Sequence, residues 1–289
     1  MTPGDLTVSP ASPRGRERLC ESFGVHARCT ERAPRVPVGG TLAVDLLDAR
    51  AMPGPASLRS LAARNAVLAS LPGDALRRWQ SAIEHVRVTR GQILAAPGLR
   101  LPFAYFPLRG VVALVAMTAE GESVQVGTVG SDGVLGLPTV LHDDVLPYQA
   151  VAAVTLDAVR LRLPAVLAEV RSNTALQARL FAYAHQQVIA MTRAAACHRF
   201  HTTLQRFSLW LLTASDSLQS QTVEVTQDLL AQFLGTTRTG ISLAATTLSD
   251  DGVIRQRWGR VQIVRRMGLS ARACDCYEPP AKQPLHRTR

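Results

Sequence analysis

Short runs in which apolar and polar residues alternate, such as Ser123–Val126, fill the middle of the chain. A period of two residues is typical of a strand with one face in a core. The predicted strands are Val86–Val88, Gly91–Ile93, Phe103–Pro107, Val111–Met117, Ser123–Val129, Ala150–Val154 and Ala158–Leu163. Glycine-containing turn signals separate them, and many short strands at close spacing predict a jelly roll or barrel.

Helical spacing precedes the strands. Leucines recur from Leu58 to Leu71 at the interval of one helix face, which predicts a helix over that range. Asp74 is expected to cap a second, short helix that reaches Gln80. Residues 1–56 carry Arg and Pro throughout and no apolar run as long as a signal peptide needs. We therefore interpret them as a disordered extension, or as the result of a start codon placed too far upstream.

A long helix follows the strands. Pro164 is expected at the first position of a short helix, and Asn173 is expected to cap a helix over Thr174–Cys197. The long helix has a first apolar stripe formed by Leu176, Leu180, Tyr183, Gln187, Met191 and Ala194. A second apolar stripe of the same helix consists of Phe181, Val188 and Ala195.

A helix that is apolar on two sides must be covered on two sides. We expect the β domain of the same chain on one side and a second copy of the chain on the other. Leu180 and Met191 are expected to lie in the seam between the copies. The alternative is an internal helix of a monomeric bundle, which needs more helices than the sequence offers.

Two helices joined by a tight turn are predicted further along the chain. The first spans Thr226–Leu234 with Thr226 as its cap, and Gly235 ends it because glycine tolerates positive φ. Thr236 or Thr237 caps the second helix, which reaches about Ser249. The residues of the first helix expected to face inward are Leu229, Leu230, Phe233 and Leu234.

The spacing of three residues makes this pair a helix-turn-helix motif. Ala231 lies four positions before Gly235, and Ile241 lies six positions after it. The small alanine lets the helices approach, the glycine makes the turn, and the branched isoleucine locks the second helix onto the first. A strand, a turn at Trp258-Gly259 and another strand follow within 255–263, which predicts a wing.

The charge of the chain favours nucleic acid as the partner of this motif. The net charge is +10, and residues 199–289 hold 12 basic and 7 acidic side chains. An excess of positive charge favours a polyanion. The alternative is an ordinary helical hairpin in a core. It does not explain the cluster of polar residues at the start of the second helix, which consists of Thr236, Thr237, Arg238, Thr239 and Ser242.

In this order of elements the chain resembles the Crp/Fnr superfamily of bacterial transcription regulators. The residues that carry the resemblance are Tyr105–Pro107, Gly110–Val112, Val129–Leu137, Ala196–His201, Gln205–Leu212 and the helix-turn-helix. It implies an α+β fold with an N-terminal β-roll (jelly roll), a long dimerisation helix and a C-terminal winged helix-turn-helix. The expected domains are residues 1–56 (extension), 57–165 (cyclic-nucleotide-binding-like roll), 166–200 (dimerisation helix), 201–270 (DNA-binding domain) and 271–289 (tail).

The resemblance also implies a function. We expect a cytoplasmic homodimer that reads a near-palindromic operator in double-stranded DNA with its second helix in the major groove, with RNA polymerase as a further partner. Base contacts are expected from Thr237, Arg238, Thr239 and Ser242. Phosphate contacts are expected from Thr226, Gln227, Thr236, Arg257 and Arg260.

The chain departs from the family where members hold cyclic AMP. Such members use a Gly-Glu-Leu stretch and a later Arg, whereas this chain reads Gly133-Val134-Leu135 or Gly136-Leu137-Pro138, and then Leu146–Ala150. A buried phosphate without an Arg lacks its charge-assisted partner. We therefore expect no cofactor and a degenerate effector pocket at Gly133, Val134, Leu135, Gly136, Tyr148 and Gln149. In the second helix, Thr239 and Leu243 replace a Glu and an Arg that the family often has.

The five cysteines form no disulfide framework, so a reducing compartment is expected. Cys197 and His198 with His201 have the helical spacing of metal ligands, but we favour a packed junction. Cys274 and Cys276 have no third or fourth ligand nearby in the sequence, and Cys20 and Cys29 lie in the extension. We therefore predict no metal site. The closely spaced N-terminal thiolates of an Fnr-type iron–sulfur sensor are also missing.

Three alternatives to this interpretation remain. The first is an enzyme with a nucleophile set of Cys197, His198 and Asp216, but no oxyanion-rich loop accompanies it, so we predict that the chain is not an enzyme. The second is a roll that acts as a sensor or scaffold through protein contacts alone. The third is a Cys/His metal- or redox-sensing regulator.

Overall fold

The computed structural model describes residues 48–51, 55–141 and 146–278. The expectations for residues 1–47, for most of the tail and for Cys20 and Cys29 lie outside this part of the chain. The predicted α+β architecture is confirmed: a β-roll, a long helix and a winged helix-turn-helix follow one another along the chain. Within the described residues, no helix is both long and apolar enough to cross a membrane.

The roll consists of two four-stranded sheets in which every strand pair is antiparallel. One sheet has the order β1-β2-β8-β4, and the other has the order β3-β7-β5-β6. The strands are β1 (Asp48–Ala51), β2 (Glu84–Val88), β3 (Ile93–Ala95), β4 (Phe103–Arg109), β5 (Val112–Met117), β6 (Ser123–Val129), β7 (Gln149–Ala152) and β8 (Leu156–Arg162). A buried hydrophobic cluster that includes Tyr105, Leu114 and Leu135 fills the space between the sheets.

Strand β1 corrects the sequence analysis, because it lies inside the segment 1–56 that was interpreted as a disordered extension. Its four residues pair with Glu84–Arg87 of β2. Helix α1 (Pro55–Ala62) also begins before the expected domain boundary at residue 57.

The predicted helix over Leu58–Leu71 is interrupted, which is a second correction. After α1 the chain turns at Asn65, and a separate helix α2 (Ala66–Ala69) begins. The Asn65 Oδ1 accepts hydrogen bonds from the N–H groups of Val67 and Leu68, while its Nδ2 donates to two backbone carbonyls at 2.8–2.9 Å. This wholly buried side chain satisfies a non-helical turn, so leucine spacing alone misplaces the helix.

Asp74 does not cap the next helix, α3 (Gly73–Trp79), because Pro72 occupies the cap position and makes no side-chain bond there. Asp74 lies in the first turn, where it accepts a hydrogen bond from Arg78 at 2.7 Å. A carboxylate in that turn still favours the helix through the helix dipole.

The predicted order at the end of the roll is confirmed. After α4 (Leu137–Leu141), helix α5 (Leu163–Ser172) begins with a proline in its first turn. The long helix α6 (Thr174–Phe200) ends three residues later than expected. As predicted, the Asn173 side chain caps it by accepting from the Leu176 N–H.

The two stripes of α6 face different surroundings. Leu176, Leu180 and Tyr183 are buried against the roll, and Gln187 donates a hydrogen bond to the Thr128 carbonyl of β6. Phe181 and Val188 of the second stripe are each 62% exposed. Placing Leu180 and Met191 in the seam between copies was therefore wrong, because both pack within their own chain.

The C-terminal domain has the predicted helix-turn-helix and wing. Its elements are α7 (Thr203–Leu218), β9 (Thr222–Glu224), α8 (Gln227–Leu234), α9 (Arg238–Asp250), β10 (Ile254–Arg257), β11 (Arg260–Ile263) and α10 (Arg266–Ser270). The strand β9 was not predicted, and it pairs with β11 to complete a sheet of order β10-β11-β9.

This domain packs directly on the roll. Ala113 and Val115 of β5 share one apolar cluster with Phe207 and Phe233 of the domain. The Trp210 Nε1 donates to the Gln125 side chain on β6 at 3.3 Å. The roll and the C-terminal domain therefore bury a common core.

Candidate nucleic-acid interface

The turn between α8 and α9 has the geometry that the sequence predicts. The Thr226 hydroxyl accepts a hydrogen bond from the Leu229 N–H at the start of α8. Gly235 ends that helix with φ +54°, in the left-handed region that favours glycine. The Thr237 hydroxyl accepts from the Gly240 N–H and caps α9.

The inner face of the motif is closed by apolar side chains. Ile241 of α9 is completely buried, as the spacing predicts, and so is Phe233 of α8. The Phe233 ring stacks on Trp210 of α7 with ring centroids 6.2 Å apart. This packing fixes the orientation of α9 and leaves its other face free.

The outer face of α9 carries all the residues predicted to contact bases. Thr237, Arg238, Thr239 and Ser242 are exposed at the beginning of the helix. Leu243 lies beside them and is 66% exposed. In the sequence, Leu243 stands out only as a departure from the pattern of the Crp/Fnr superfamily.

Arg238 is held by an acidic residue of the preceding helix. Its Nε lies 3.6 Å from the Asp228 Oδ1, and both side chains are 70% exposed. An ion pair this exposed is worth less than about 1 kcal/mol. The Arg238 guanidinium is therefore available to a stronger acceptor.

The wing presents a row of basic residues on one face. Arg257 and Arg260 face each other across the β10–β11 pair, and Arg255 lies on the same face. Val261 and Ile263 point to the core instead. The Arg260 guanidinium donates to the Glu224 carboxylate at 2.8 Å, beside a cleft of about 640 Å³ between wing and roll. Arg260 is thus partly neutralised, which the sequence did not indicate.

The remaining predicted phosphate contacts are less accessible. Thr226, Gln227 and Thr236 are half-buried around the start of α8 and the turn. The Thr236 hydroxyl lies 3.5 Å from that of Thr203 on α7. The Thr226 oxygen already caps α8, but its hydroxyl hydrogen can still be donated to a phosphate.

The residues of the predicted degenerate effector pocket lie under α6. Val134, Leu135, Tyr148 and Gln149 are buried, and burial raises the pKa of Tyr148 to about 12. A Cβ atom built on Gly133 would lie 2.0 Å from the Tyr183 ring, so only glycine fits beneath this aromatic side chain. At Gly136, φ is +111°, which also favours glycine.

The predicted packed junction separates into two clusters. The His198 Nε2 donates to the Gln125 carbonyl at 2.8 Å, and its Nδ1 accepts from Arg206 at 3.0 Å. Burial lowers the pKa of His198, so the neutral ring fits this arrangement. Arg206 also donates to the Leu234 carbonyl at the end of α8. His198 therefore links the roll to the helix-turn-helix.

The second cluster joins Cys197 and His201 to Cys274 and Cys276, which the sequence analysis treated as isolated. The ligand atoms of these four residues all lie within 4.8 Å of one another. Burial and the neighbouring thiols raise the pKa of Cys197. The sequence did not indicate this cluster, because 77 positions separate Cys197 from Cys274.

Comparison with known proteins supports the nucleic-acid interface. Residues 205–272 match the family model of the Crp-like helix-turn-helix domain. No curated protein matches the chain.

Solved structures share the fold across most of their length. A CRP-family transcriptional regulator from Thermus thermophilus is 19% identical, with a TM-score of 0.56 over 66% of this chain and 98% of that one. FixK2 from Bradyrhizobium japonicum is 13% identical, with a TM-score of 0.56 over 66% and 96%. The c-di-GMP-responsive global regulator CLP from Xanthomonas campestris is 15% identical, with a TM-score of 0.54 over 66% and 99%.

The predicted resemblance is thereby confirmed in two independent ways. The family model covers the helix-turn-helix and wing, and the structural likeness extends over the roll and long helix. The chain thus carries a Crp-like helix-turn-helix domain on a β-roll and long helix, in the fold of the Crp/Fnr transcriptional regulators.

Proposed function

We propose that this protein is a sequence-specific DNA-binding transcription regulator that binds a near-palindromic operator as a homodimer. The observation that carries the proposal is the outer face of α9, where an exposed arginine and three exposed hydroxyl residues surround the beginning of the helix. A helix placed in this way can enter the major groove, with its first turns against the base edges.

Arg238 is the main base-reading residue of the proposal. A guanine offers two acceptors to an arginine, and such a bidentate contact is worth roughly 1–3 kcal/mol of discrimination. That exceeds the value of the exposed pair with Asp228. Thr237, Thr239 and Ser242 supply shorter polar contacts, and the exposed Leu243 fits the methyl group of thymine.

Phosphate contacts come from the wing and from the start of α8. Arg257 and Arg260, joined by Arg255 on the same face, neutralise backbone charge without reading sequence. Thr226, Gln227 and Thr236 surround the N-terminal end of α8 and the turn, where N–H groups and the helix dipole favour a phosphate.

The exposed stripe of α6 forms the dimer contact. Phe181 and Val188 lie seven positions apart on the outward side of the helix, with Ala195 one heptad further along. Apolar residues at this interval favour packing against the same helix of a second copy. Two copies would then present two recognition helices to successive turns of the duplex.

The roll does not bind cyclic AMP in this proposal. The segment that holds the nucleotide in such regulators has neither the Glu nor the Arg, and Tyr105, Leu135 and Leu146 fill the interior. Titration of cyclic AMP and cyclic GMP into the full-length protein should give no binding heat and no change in DNA affinity. Micromolar binding of either nucleotide would contradict this part of the proposal.

Selection of duplexes from a randomised pool, followed by affinity measurements on variants, tests the DNA contacts. Arg238→Ala should relax the preference at one position of each half-site. Arg260→Ala should weaken all sequences alike and flatten the salt dependence by about 0.9 in log–log slope for each lost phosphate contact. Arg171→Ala, an equal charge change on the exposed side of α5, is the matched control and should change neither property.

The assignment fails if Arg238→Ala weakens selected and random duplexes by the same factor. It also fails if Arg260→Ala changes the preferred sequence. Absence of any selected sequence for the wild-type protein would instead favour a roll that acts through protein contacts.

A further inference from the structure

Four metal-binding side chains converge where the long helix meets the DNA-binding domain. Cys197 lies in the last turn of α6, and His201 is the residue that ends this helix. Cys274 and Cys276 follow α10 and bring the chain back to the same place. Cys197 and Cys274 are buried, whereas His201 and Cys276 are half-buried, so the cluster can be reached from one side.

Two of the distances between the ligand atoms match the edges of a tetrahedron around one ion. The Sγ atoms of Cys197 and Cys274 are 3.6 Å apart, and the Cys276 Sγ is 3.6 Å from the His201 Nδ1. Tetrahedral zinc with Zn–S near 2.3 Å and Zn–N near 2.05 Å requires an S···S edge of about 3.8 Å and an S···N edge of about 3.6 Å. All four ligand atoms lie within 4.8 Å of one another, which suits a single ion.

An exposed acidic residue lies beside the imidazole. The His201 Nε2 lies 3.3 Å from the Asp275 Oδ1, so that nitrogen can donate its proton to the carboxylate and leave Nδ1 as the ligand atom. Histidines that bind metals usually have such an acceptor on their other nitrogen. Packing of thiols at a helix end does not require this arrangement.

We propose that Cys197, His201, Cys274 and Cys276 bind one zinc-type divalent cation in a Cys₃His site. Three thiolates and an imidazole are the ligands that structural zinc sites use. Four protein ligands leave no open position, so the site is structural and not catalytic. This inference does not depend on the proposed DNA contacts, because none of the four residues lies on α9 or the wing.

The site would tie together parts of the chain that are distant in sequence. The segment after α10 would be bound to the end of α6, next to the link His201–Thr202 from which α7 begins. Zinc that binds only the folded protein raises its stability. We therefore expect the ion to stabilise the DNA-binding domain and to hold it at a fixed angle to the long helix.

Titration of the full-length protein, reduced and freed of metal with a chelator, tests the site. Zn²⁺ in competition with a chromophoric chelator should bind once per chain and raise the melting temperature. Co²⁺ should give the visible absorption of a tetrahedral thiolate complex. Cys197→Ser and Cys276→Ser should each weaken zinc binding by at least tenfold, and Asp275→Asn should weaken it less, because the Asp275 side chain is 90% exposed.

The double variant Cys20→Ser with Cys29→Ser is the matched control and should bind zinc like the wild type. Circular dichroism of the metal-free variants shows whether each is folded, and Cys276→Ser, at a half-buried position, is expected to tolerate the change. The proposal is overturned if the reduced wild type binds no stoichiometric zinc, or if Cys197→Ser and Cys276→Ser both bind it unchanged. If Cys197 and Cys274 form a disulfide, and the protein still binds no zinc after that disulfide is reduced, the proposal is also overturned.

Discussion

At the tip of the wing, Trp258 combines an unfavourable backbone with an exposed ring. Its φ is +52°, followed by +72° at Gly259, so the two-residue turn is of the type that favours Asn-Gly. A bulky residue with positive φ is strained, and the side chain is 90% exposed, so burial does not offset the cost.

Trp258→Asn should therefore stabilise the protein. Asparagine adopts positive φ more readily, and we expect a gain of about 0.5–1 kcal/mol in the free energy of unfolding. Urea denaturation measures this difference. Arg255→Ala, on the neighbouring strand, serves as control and should change stability by less than about 0.5 kcal/mol. A loss of stability in Trp258→Asn would show that the indole ring contributes more than the strain costs.

The residues that could be predicted correctly act through local chemistry. Thr226, Asn173 and Gly235 cap helix ends because of their own side chains or backbone freedom, and the structure shows each in that role. Asn65 was missed because it hydrogen-bonds with carbonyls of Pro107 and Gly133, far away in the sequence.

At the level of elements, α6 shows where prediction from sequence stops. The helix and its two apolar stripes were predicted. Which of the two stripes faces the roll depends on the position of β6, and the local sequence of the helix does not determine that position. In the structure, Leu180 and Tyr183 are buried against the roll, whereas Phe181 and Val188 are exposed. The strand β9 was missed for the same reason, since its three residues are defined mainly by pairing with β11.

Phe181→Glu combined with Val188→Glu should convert the proposed homodimer into a monomer. Both side chains are exposed in a single chain, so the change places like charges in the seam without disturbing the roll. Sedimentation velocity at several concentrations measures the assembly. Ala190→Glu adds charge on the opposite, exposed side of the helix and should remain dimeric. A double variant that sediments like the wild type would place the interface elsewhere.

The packing of α3 against α5 depends on a buried carboxylate. Glu169 is 5% exposed and accepts hydrogen bonds from Arg78 at 2.8–3.1 Å and from Asn173 at 3.0 Å. Because Arg78 donates to it, the pKa of Glu169 lies below its ordinary value of 4.5. A carboxyl group with a lowered pKa in the folded state stabilises the fold above its unfolded pKa.

Glu169→Gln should therefore reduce stability at neutral pH, and the difference from the wild type should shrink as the pH falls from about 4.5 through the lowered pKa of the folded state. We expect a loss of about 1–3 kcal/mol at pH 7, since a hydrogen-bonded buried charge is replaced by an amide. Denaturant unfolding at a series of pH values measures both curves. Exposed Glu122→Gln is the control, and a difference independent of pH would contradict the explanation.

For the whole molecule, the shared core between roll and DNA-binding domain determines how the chain unfolds. The order of the domains could be predicted from the pattern of strands and helices. The direct contact between the two domains through Ala113, Val115 and Phe207 could not be predicted, because it depends on tertiary packing. The Cys₃His cluster is a further product of this packing. An apolar core that crosses a domain boundary favours a single cooperative transition.

Fluorescence of single-tryptophan variants tests this cooperativity. In the Trp258→Asn background, Trp210→Phe leaves Trp79 beside the roll, and Trp79→Phe leaves Trp210 in the DNA-binding domain. Each probe should report the same denaturant midpoint as circular dichroism of its own variant, and the two m-values should agree. An earlier transition at Trp210 alone would show that the DNA-binding domain unfolds independently.

If Arg238 reads a base as proposed, its contact with Asp228 adds a small cost to recognition. A guanidinium that already has a carboxylate partner leaves it only for an acceptor that holds it more strongly, and a guanine edge does so whereas a poorly aligned base does not. The free-energy cost of separating Arg238 from Asp228 is small, so it would lower the affinity of the protein for its proposed DNA site by a few-fold at most. On a duplex that lacks a suitable base, the same small cost would oppose any other contact of the Arg238 guanidinium, including one with a phosphate. In the proposed complex, the Asp228 carboxylate would thus weaken DNA binding through Arg238 by less than about 1 kcal/mol.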